Sequence, residues 1–262
     1  MPGEAQVTVS LAGQVALVTG GGRGIGRSIA EAFLAAGCEV VVCGRNPPET
    51  APSHGGRNAE FVACDVRDAE QVRALVDGTA ARHGRLDIVV NNAGGSPMAE
   101  AATASPRFSD AIVALNLMAP LHVSQAAWGH MQAQAEGGSI VNICSVSGVR
   151  PSPGTAVYGA AKAGLLNLTQ SLAMEWGPKI RVNAIIVGLI GSEGARDHYG
   201  EGGDRIAQSL PLKRMGQGRD IANAVLYLSS PLASYVSGAR LSVDGGGERP
   251  SFLTLSSVPP GS

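Results

Sequence analysis

QVALVTGGGRGIG, residues 14–26, carries three signals in succession. The apolar, β-branched run 14–19 reads as a strand, and a helix pattern begins at Gly24 and continues to residue 36. Between them lies a glycine turn. Glycines let the backbone approach a pyrophosphate, and the free N–H groups at a helix start attract its charge. Strand, glycine turn and helix in that order point to the opening of a dinucleotide-binding βαβ unit. The spacing is G-x-x-x-G-x-G rather than the common G-x-G-x-x-G. A glycine turn alone is weak evidence, and its position after a first strand gives it weight.

The alternation repeats outward from there. EVVVC (39–43), EFVAC (60–64), LDIVVN (86–91), SIVNICS (139–145), IRVNAIIV (180–187) and ARLSVD (239–244) read as strands. Residues 68–83, 105–133, 155–176 and 219–228 read as helices. Near-continuous apolar strands separated by helices imply an α/β fold with a parallel sheet covered on both faces. Its crossovers should be right-handed. Residues 1–249 are expected to form one doubly wound domain, with 250–262 as a C-terminal tail.

Two stretches break the pattern. GRNPPETAPSHGGRNA (44–59) holds three prolines and three glycines, so a loop or short turn should replace the crossover helix. GLIGSEGARDHYGEGGDR (188–205) holds six glycines and reads as a lid or binding segment.

Composition excludes several classes. With 20 Lys plus Arg against 21 Asp plus Glu, the chain has no broad field for nucleic acid or an anionic membrane. No uninterrupted apolar run of about 18 residues is present, so no membrane span is expected. The N-terminus lacks the basic start and apolar centre of a secretory signal. Cys38, Cys43, Cys64 and Cys144 form no CxxC pair and read as reduced core residues of a cytoplasmic protein. The five histidines have no metal-ligand spacing, so no metal is expected, and they read as surface or loop residues.

An acid about 20 residues beyond the glycine turn would bind the ribose 2′-hydroxyl of NAD. Here the second strand ends Cys43-Gly44-Arg45, without an acid. Arg45 suits a 2′-phosphate instead, and Arg23 could reach the same group. This favours NADP(H) over NAD(H). The competing reading is two solvated surface arginines.

TGGGRGIG (19–26), NNAG (91–94), Ser145 and YGAAK (158–162) together resemble the short-chain dehydrogenase/reductase family, in its branch of about 250 residues. The resemblance runs from about residue 11 to 247. It implies a Rossmann-type domain with a seven-stranded parallel sheet, and a homo-oligomer, dimer or tetramer. The family's active residues fall on Asn116, Ser145, Tyr158 and Lys162. Its cofactor positions fall on Gly20, Arg23, Gly24, Ile25, Gly26 and Arg45. Asp65 and Val66 match the adenine contact, and Asn91, Ala93 and Gly94 the turn near the ribose. Ile190 and Ser192 match residues holding the nicotinamide carboxamide. The family usually has Pro-Gly where this chain has Val187-Gly188, so a looser loop is expected there.

The chemistry also follows from the residues. Reducing a ketone by hydride leaves negative charge on oxygen, which needs a proton donor at that moment. Tyrosine and lysine both titrate near pH 10, too high for either alone. Four apart on a helix, Tyr158 and Lys162 are neighbours. A cation about 6 Å from the phenolate is worth roughly 3 kcal/mol at an effective dielectric near 20. That corresponds to about two pKa units in favour of the phenolate. Ser145 can hold the substrate oxygen near the phenol. Taken as a lone pair, the two would read as a packed ring and a lysine reaching solvent.

Substrate choice should rest on residues 95–98, 146–155 and 188–210, which are mostly small or apolar and suit a modest hydrophobic carbonyl or alcohol. Arg150 is the one charged residue of the middle segment and reads as a surface side chain. PLKRMGQGRDIANAVLYLSS and YVSGARLSVDGG most resemble 3-oxoacyl-carrier-protein reductases. At the arginine positions that dock the acidic carrier, this chain has Ser139 and Met174. MQAQAEGG (131–138) also lacks Lys and Arg. A free ketone, alcohol or acyl thioester is therefore favoured. A non-catalytic NADP(H) sensor is the alternative of another class.

Overall fold

The computed structural model describes residues 9–191 and 203–248. Strand β1 is Val15–Thr19, buried at all five positions. Around it lie β2 (Glu39–Gly44), β5 (Glu60–Ala63), β6 (Ile88–Asn91), β7 (Gly138–Ser145), β8 (Ile180–Val187) and β9 (Arg240–Val243). They form one seven-stranded sheet in the order β5-β2-β1-β6-β7-β8-β9, and every pairing is parallel. From β1 the chain builds outward through β2 and β5, then returns to β6 and builds the other way. The order therefore reverses between β1 and β6, and in such sheets the ligand crevice opens at the carboxyl ends there.

Both faces are covered. On one, α1 (Gly24–Ala35) and the helix Gly218–Ser229 pack Ile29, Phe33, Ile221 and Val225 against the strands. On the other, α2 (Ala69–His83) and α4 (Ala119–Ala133) pack Val72, Val76, Val123 and Met131. Each large apolar side chain so buried stabilises the fold by about 1.5–3 kcal/mol. Helix α5 (Ala156–Trp176) sends Leu165 and Leu166 under β7 and β8. The four cysteines are free and buried. Burial pushes the Cys38 thiol up to about 12 and the Cys144 thiol to about 11.

The 44–59 segment has no helix, as its prolines require. It does contain a hairpin, β3 (Ser53–His54) against β4 (Arg57–Asn58). Gly55 and Gly56 both sit at positive φ, 57° and 80°. A two-residue hairpin loop with both central residues left-handed is the turn that twisted strands favour, and Gly-Gly is its signal.

The expected single helix over 105–133 is interrupted. Helix α3 (Pro106–Val113) passes into a wider π-helical segment, Ala114–Met118, and then into α4. Pro120 has no N–H for the Asn116 carbonyl four residues back, so the turn must widen. By length and mean hydropathy these 28 residues could also cross a membrane, although no long apolar run stands out in the sequence. Within them, α4 packs against α2 and the sheet, and α3 against α5. Of the histidines read as surface or loop residues, His83, His122 and His130 lie partly exposed on helices, and His130 bonds Asp77 at 2.7 Å to tie α4 to α2.

Candidate active site

The glycine corner is built around Thr19, at the end of β1. Its hydroxyl accepts the N–H groups of Asn92 and Ala93, each at 3.0 Å, and donates to the Val90 carbonyl. Asn92 donates its amide to the carbonyls of Thr19 at 2.8 Å and Gly20 at 3.2 Å. Glycine is required at position 26, where a Cβ would lie 2.4 Å from the Gly20 carbonyl oxygen. Gly20 itself turns at a φ of 64°. Arg23 is the N-cap of α1 and makes no side-chain cap, so the first N–H groups of the helix are left to a ligand. The space above Gly24 is open. Ile25 is partly buried and packs on the core beneath. A glycine cradle under an uncapped helix start fits a dinucleotide pyrophosphate.

Arg23 and Arg45 are both exposed at this mouth, with Arg45 just past the end of β2. Asp65 stands nearby, and three contacts from the Arg67 guanidinium grip its carboxylate at 2.5–3.2 Å. Arg67 holds that carboxyl below the usual carboxylate range, and Arg45 adds a smaller pull. The sequence reading missed Arg67, whose signal was a cation two residues from an acid at a strand exit. Asp65, Arg67, Asp68, Gln71, Asp110 and Ala114 border an open cleft of about 580 Å³. Val66 is turned into the core, and so is Asn91. The Asn91 amide bonds Ser124 and Asn142, at 3.0 and 2.8 Å, and Asn142 in turn bonds Thr169. Any ligand contact from Asn91 is left to its main chain.

Deeper in the crevice, the structure gathers the remaining polar groups around Gly94. A Cβ there would lie 2.8 Å from Asn116 Oδ1 and 3.1 Å from Lys162 Nζ. Asn116 is fully buried in the π-helical segment. Its amide accepts from the Gly95 N–H and donates to the Gly95 and Ile112 carbonyls, at 2.9, 2.9 and 3.0 Å. Pro120 leaves the Asn116 main-chain carbonyl without its usual helical donor. Lys162 is only 3% exposed. It donates to the Ile143 carbonyl at 2.8 Å and lies 5.7 Å from the centre of the Tyr158 ring. Burial pushes the Lys162 ammonium below its ordinary pKa.

Ser145 ends β7 and is brought against α5 by a 3-10 turn, Val146–Gly148. A Cβ at Gly159 would lie 2.8 Å from the Ser147 carbonyl oxygen, and one at Gly148 2.9 Å from the Lys162 carbonyl carbon. Two absent side chains therefore let the turn lie flat on the first turns of α5, beside Tyr158. The Ser147 N–H donates to Ser145 Oγ at 3.2 Å, a bond that uses a lone pair of the serine and not its proton. Tyr158 also borders a narrow crevice with Thr155, Ser96 and Phe108.

Comparison with known proteins agrees with this arrangement. Residues 20–248 match the family described as enoyl-(acyl carrier protein) reductase. The chain is 37% identical over 246 residues to the peroxisomal 2,4-dienoyl-CoA reductase of Danio rerio, covering 90% of this chain and 82% of the relative. It is 36% identical over 243 residues to the 3-oxoacyl-(acyl-carrier-protein) reductase FabG of Chlamydia trachomatis, covering 90% and 98%. A short-chain dehydrogenase/reductase double mutant from Serratia marcescens superposes with a TM-score of 0.83 at 33% identity, covering 90% and 98%. The chain belongs to the short-chain dehydrogenase/reductase family. As a short-chain dehydrogenase/reductase it is an oxidoreductase, and members of this family use nicotinamide cofactors.

Two expectations meet the structure here. First, Val187 pairs with Ser145 on one side and Val243 on the other, while the loop expected to be looser lies outside the described residues beyond residue 191. After Val187 the Gly188, Gly191 and Gly216 N–H groups bond the Val243, Gly216 and Leu189 carbonyls, and Ile190 bridges to Gly216. A proline would have removed one ladder donor, so valine lets the strand run on. Second, Ser139 is 3% exposed and bonds the Leu228 carbonyl, so no docking side chain could stand there. Met174 is exposed, while Lys179 reaches the cation-poor end of α4 and bonds the Gln134 carbonyl. Ser192 lies outside the described residues.

Proposed function

We propose that the chain interconverts a carbonyl, as a ketone or 3-oxoacyl group, and a secondary alcohol with NADP(H), and that Tyr158 is its general acid and base. The observation that carries this reading is the buried Lys162 ammonium 5.7 Å from the Tyr158 ring, with Ser145 beside them. A bound nicotinamide would supply or accept the hydride. Ser145 would donate to the substrate oxygen, with its own lone pair held by the Ser147 N–H. Tyr158 would give that oxygen its proton in reduction and take it back in oxidation. The Lys162 charge favours the phenolate. Asn116, whose main-chain carbonyl lacks its usual i+4 donor, would hold a water on the route to Lys162.

The glycine cradle with Gly20, Gly24, Ile25 and Gly26 would bind the pyrophosphate. Arg23 and Arg45 would meet the 2′-phosphate, and Asp65 and Val66 would flank the adenine. Asn91, Ala93 and Gly94 would border the ribose, and Ile190 and Ser192 the carboxamide. Large apolar side chains exposed on α4, α5 and the segment after the last helix, among them Trp128, Met174, Leu232 and Tyr235, support a homo-oligomer.

A second reading is reduction of a conjugated enoyl thioester. It is favoured by the family description and by the dienoyl-CoA reductase relatives. Absorbance of NADPH and of NADH should be followed in both directions over ketones, secondary alcohols, 3-oxoacyl thioesters and enoyl thioesters. The expected result is ketone or 3-oxoacyl turnover with NADPH preferred. Turnover of enoyl thioesters alone favours the second reading, and clear NADH preference refutes the role given to Arg45. NADPH binding without turnover of any substrate favours a sensor. Fast turnover of acyl-carrier-protein substrates would restore the carrier-protein assignment.

A further inference from the structure

The turn after β9, residues 244–248, was given no part in substrate choice by the sequence, yet two of the segments expected to choose the substrate meet on it. Gly188 lies so close that a Cβ there would be 2.5 Å from the Asp244 α-carbon. The Leu212 N–H donates to the Gly245 carbonyl at 3.2 Å, and a Cβ at Gly246 would lie 2.9 Å from Pro211. Arg150 reaches across from the far side and pairs with Glu248 at 2.5 Å, while its other nitrogen donates to the Pro151 carbonyl.

The strand register explains the shape of this contact. Ser145 of β7, Val187 of β8 and Val243 of β9 stand abreast. Arg150 and Glu248 each lie five residues beyond an outer member of that row. Their ion pair therefore arches over the exit of the middle strand, where residues 188–191 leave the sheet. Glu248 hangs on three successive glycines, Gly245, Gly246 and Gly247, at φ values of 70°, 95° and 80°. Such a stretch has little intrinsic resistance to other conformations. Arg150 and Glu248 are each more than a third exposed, and exposed pairs are weakly held. A weak latch on a glycine hinge can open and close.

We propose that the 244–248 turn is a wall of the substrate site and that Arg150–Glu248 is the latch setting its width. Closed, the latch favours small, uncharged carbonyl substrates; opened, it admits bulkier ones. This rests on the carbonyl reading above. Arg150→Gln, Glu248→Gln and the charge swap Arg150→Glu with Glu248→Arg should be compared with the parent on a small aliphatic ketone and a bulky aryl ketone. Amide hydrogen exchange at Gly188, Gly191, Leu212 and Gly216 should be followed in the same four proteins.

Each single variant should raise kcat/KM for the bulky ketone relative to the small one by about tenfold, the scale of a pocket change of one or two methylenes. Exchange at the four amides should speed up in both single variants. The swap should restore both readouts. Unchanged exchange in the single variants, or a swap that fails to restore it, overturns the latch. So does an unchanged size preference. A third contrary result is loss of turnover of a carboxylate-bearing ketone in Arg150→Gln with a gain in Glu248→Gln, which would make Arg150 a substrate counter-ion. If the parent turns over no ketone, the carbonyl reading has failed, and the exchange data alone decide whether the latch exists.

Discussion

The glycine corner around Thr19, after β1, and the turn around Glu248, after β9, follow strands of the same sheet and are held in different ways. At the corner, two short segments, 19–26 and 91–93, bond each other through a threonine hydroxyl and an asparagine amide, with glycines at the points of contact. At the wall, residues 150, 188, 212 and 245–248 come together from distant parts of the chain, through single hydrogen bonds and an exposed ion pair. The corner is a rigid cradle for a ligand of fixed shape. The turn is closely packed at Gly188 and Gly246, and its weakly held part is the exposed Arg150–Glu248 pair, the latch proposed to set the size of what enters. Lys162 is anchored by the Ile143 carbonyl, and Ser145 by the Ser147 N–H.

If that division holds, substitutions should separate cofactor binding from turnover. Tyr158→Phe has the largest expected effect. It keeps the ring and removes the proton, so turnover should fall by about 10²–10⁴-fold, the range of general acid catalysis. NADPH affinity, measured by fluorescence titration, should stay within about twofold. Near-normal turnover removes Tyr158 as the acid.

Gly26→Ala strikes the corner instead. Its Cβ would meet backbone at 2.4 Å, and neither the strand nor the helix can yield easily. A stability loss of about 3 kcal/mol is expected, at the upper end for overpacking, and cofactor affinity should fall with it. A variant that melts like the parent and still binds NADPH tightly would show that the corner is looser than its contacts imply. Gly159→Ala should be smaller and of the opposite kind. Pushing the 146–148 turn off α5 moves Ser145 away from Tyr158, so kcat should drop about tenfold, since small misplacements are costly. Cofactor affinity should not change. Equal losses in both would contradict the separation.

The same division explains what the sequence could reveal. The sheet, its strands and the corner were legible because strand periodicity and glycine turns are local signals. The seven-stranded parallel sheet matches expectation strand by strand. The π-helical segment was hidden because a proline four residues after Asn116 reads as a tolerated helix residue until the buried asparagine is seen. The hairpin at 53–58 had a local signal in Gly55-Gly56 that the surrounding prolines masked. The Arg150–Glu248 contact had none, because the residues lie 98 positions apart and meet only through the register of three strands. Ser139 was misread for a related reason: matching a position does not show which way a strand side chain points.

The smallest expected effect concerns Lys162, buried beside Tyr158. Its burial favours the neutral amine, so the folded chain holds that proton less tightly than the unfolded chain does. Over the window from its lowered folded pKa up to the unfolded value near 10.4, the unfolded state binds more protons, and stability contributed by this residue rises with pH. Below that window the buried charge is a constant cost. Lys162→Met removes the titration but leaves the Ile143 carbonyl without its donor, so its stability at neutral pH combines a gain and a loss. The pH dependence of the difference between the two proteins comes from that proton and from the Tyr158 proton, whose release the Lys162 charge favours, and both act in the same direction. Denaturant melts of cofactor-free protein from pH 7 to 10.5 should show the parent gaining on the variant, with a slope no steeper than about 1.4 kcal/mol per pH unit for each proton involved. Parallel curves across that range would mean that the Lys162 ammonium is as comfortable inside the crevice as in water, and the argument that it tunes Tyr158 from a desolvated position would fail with it.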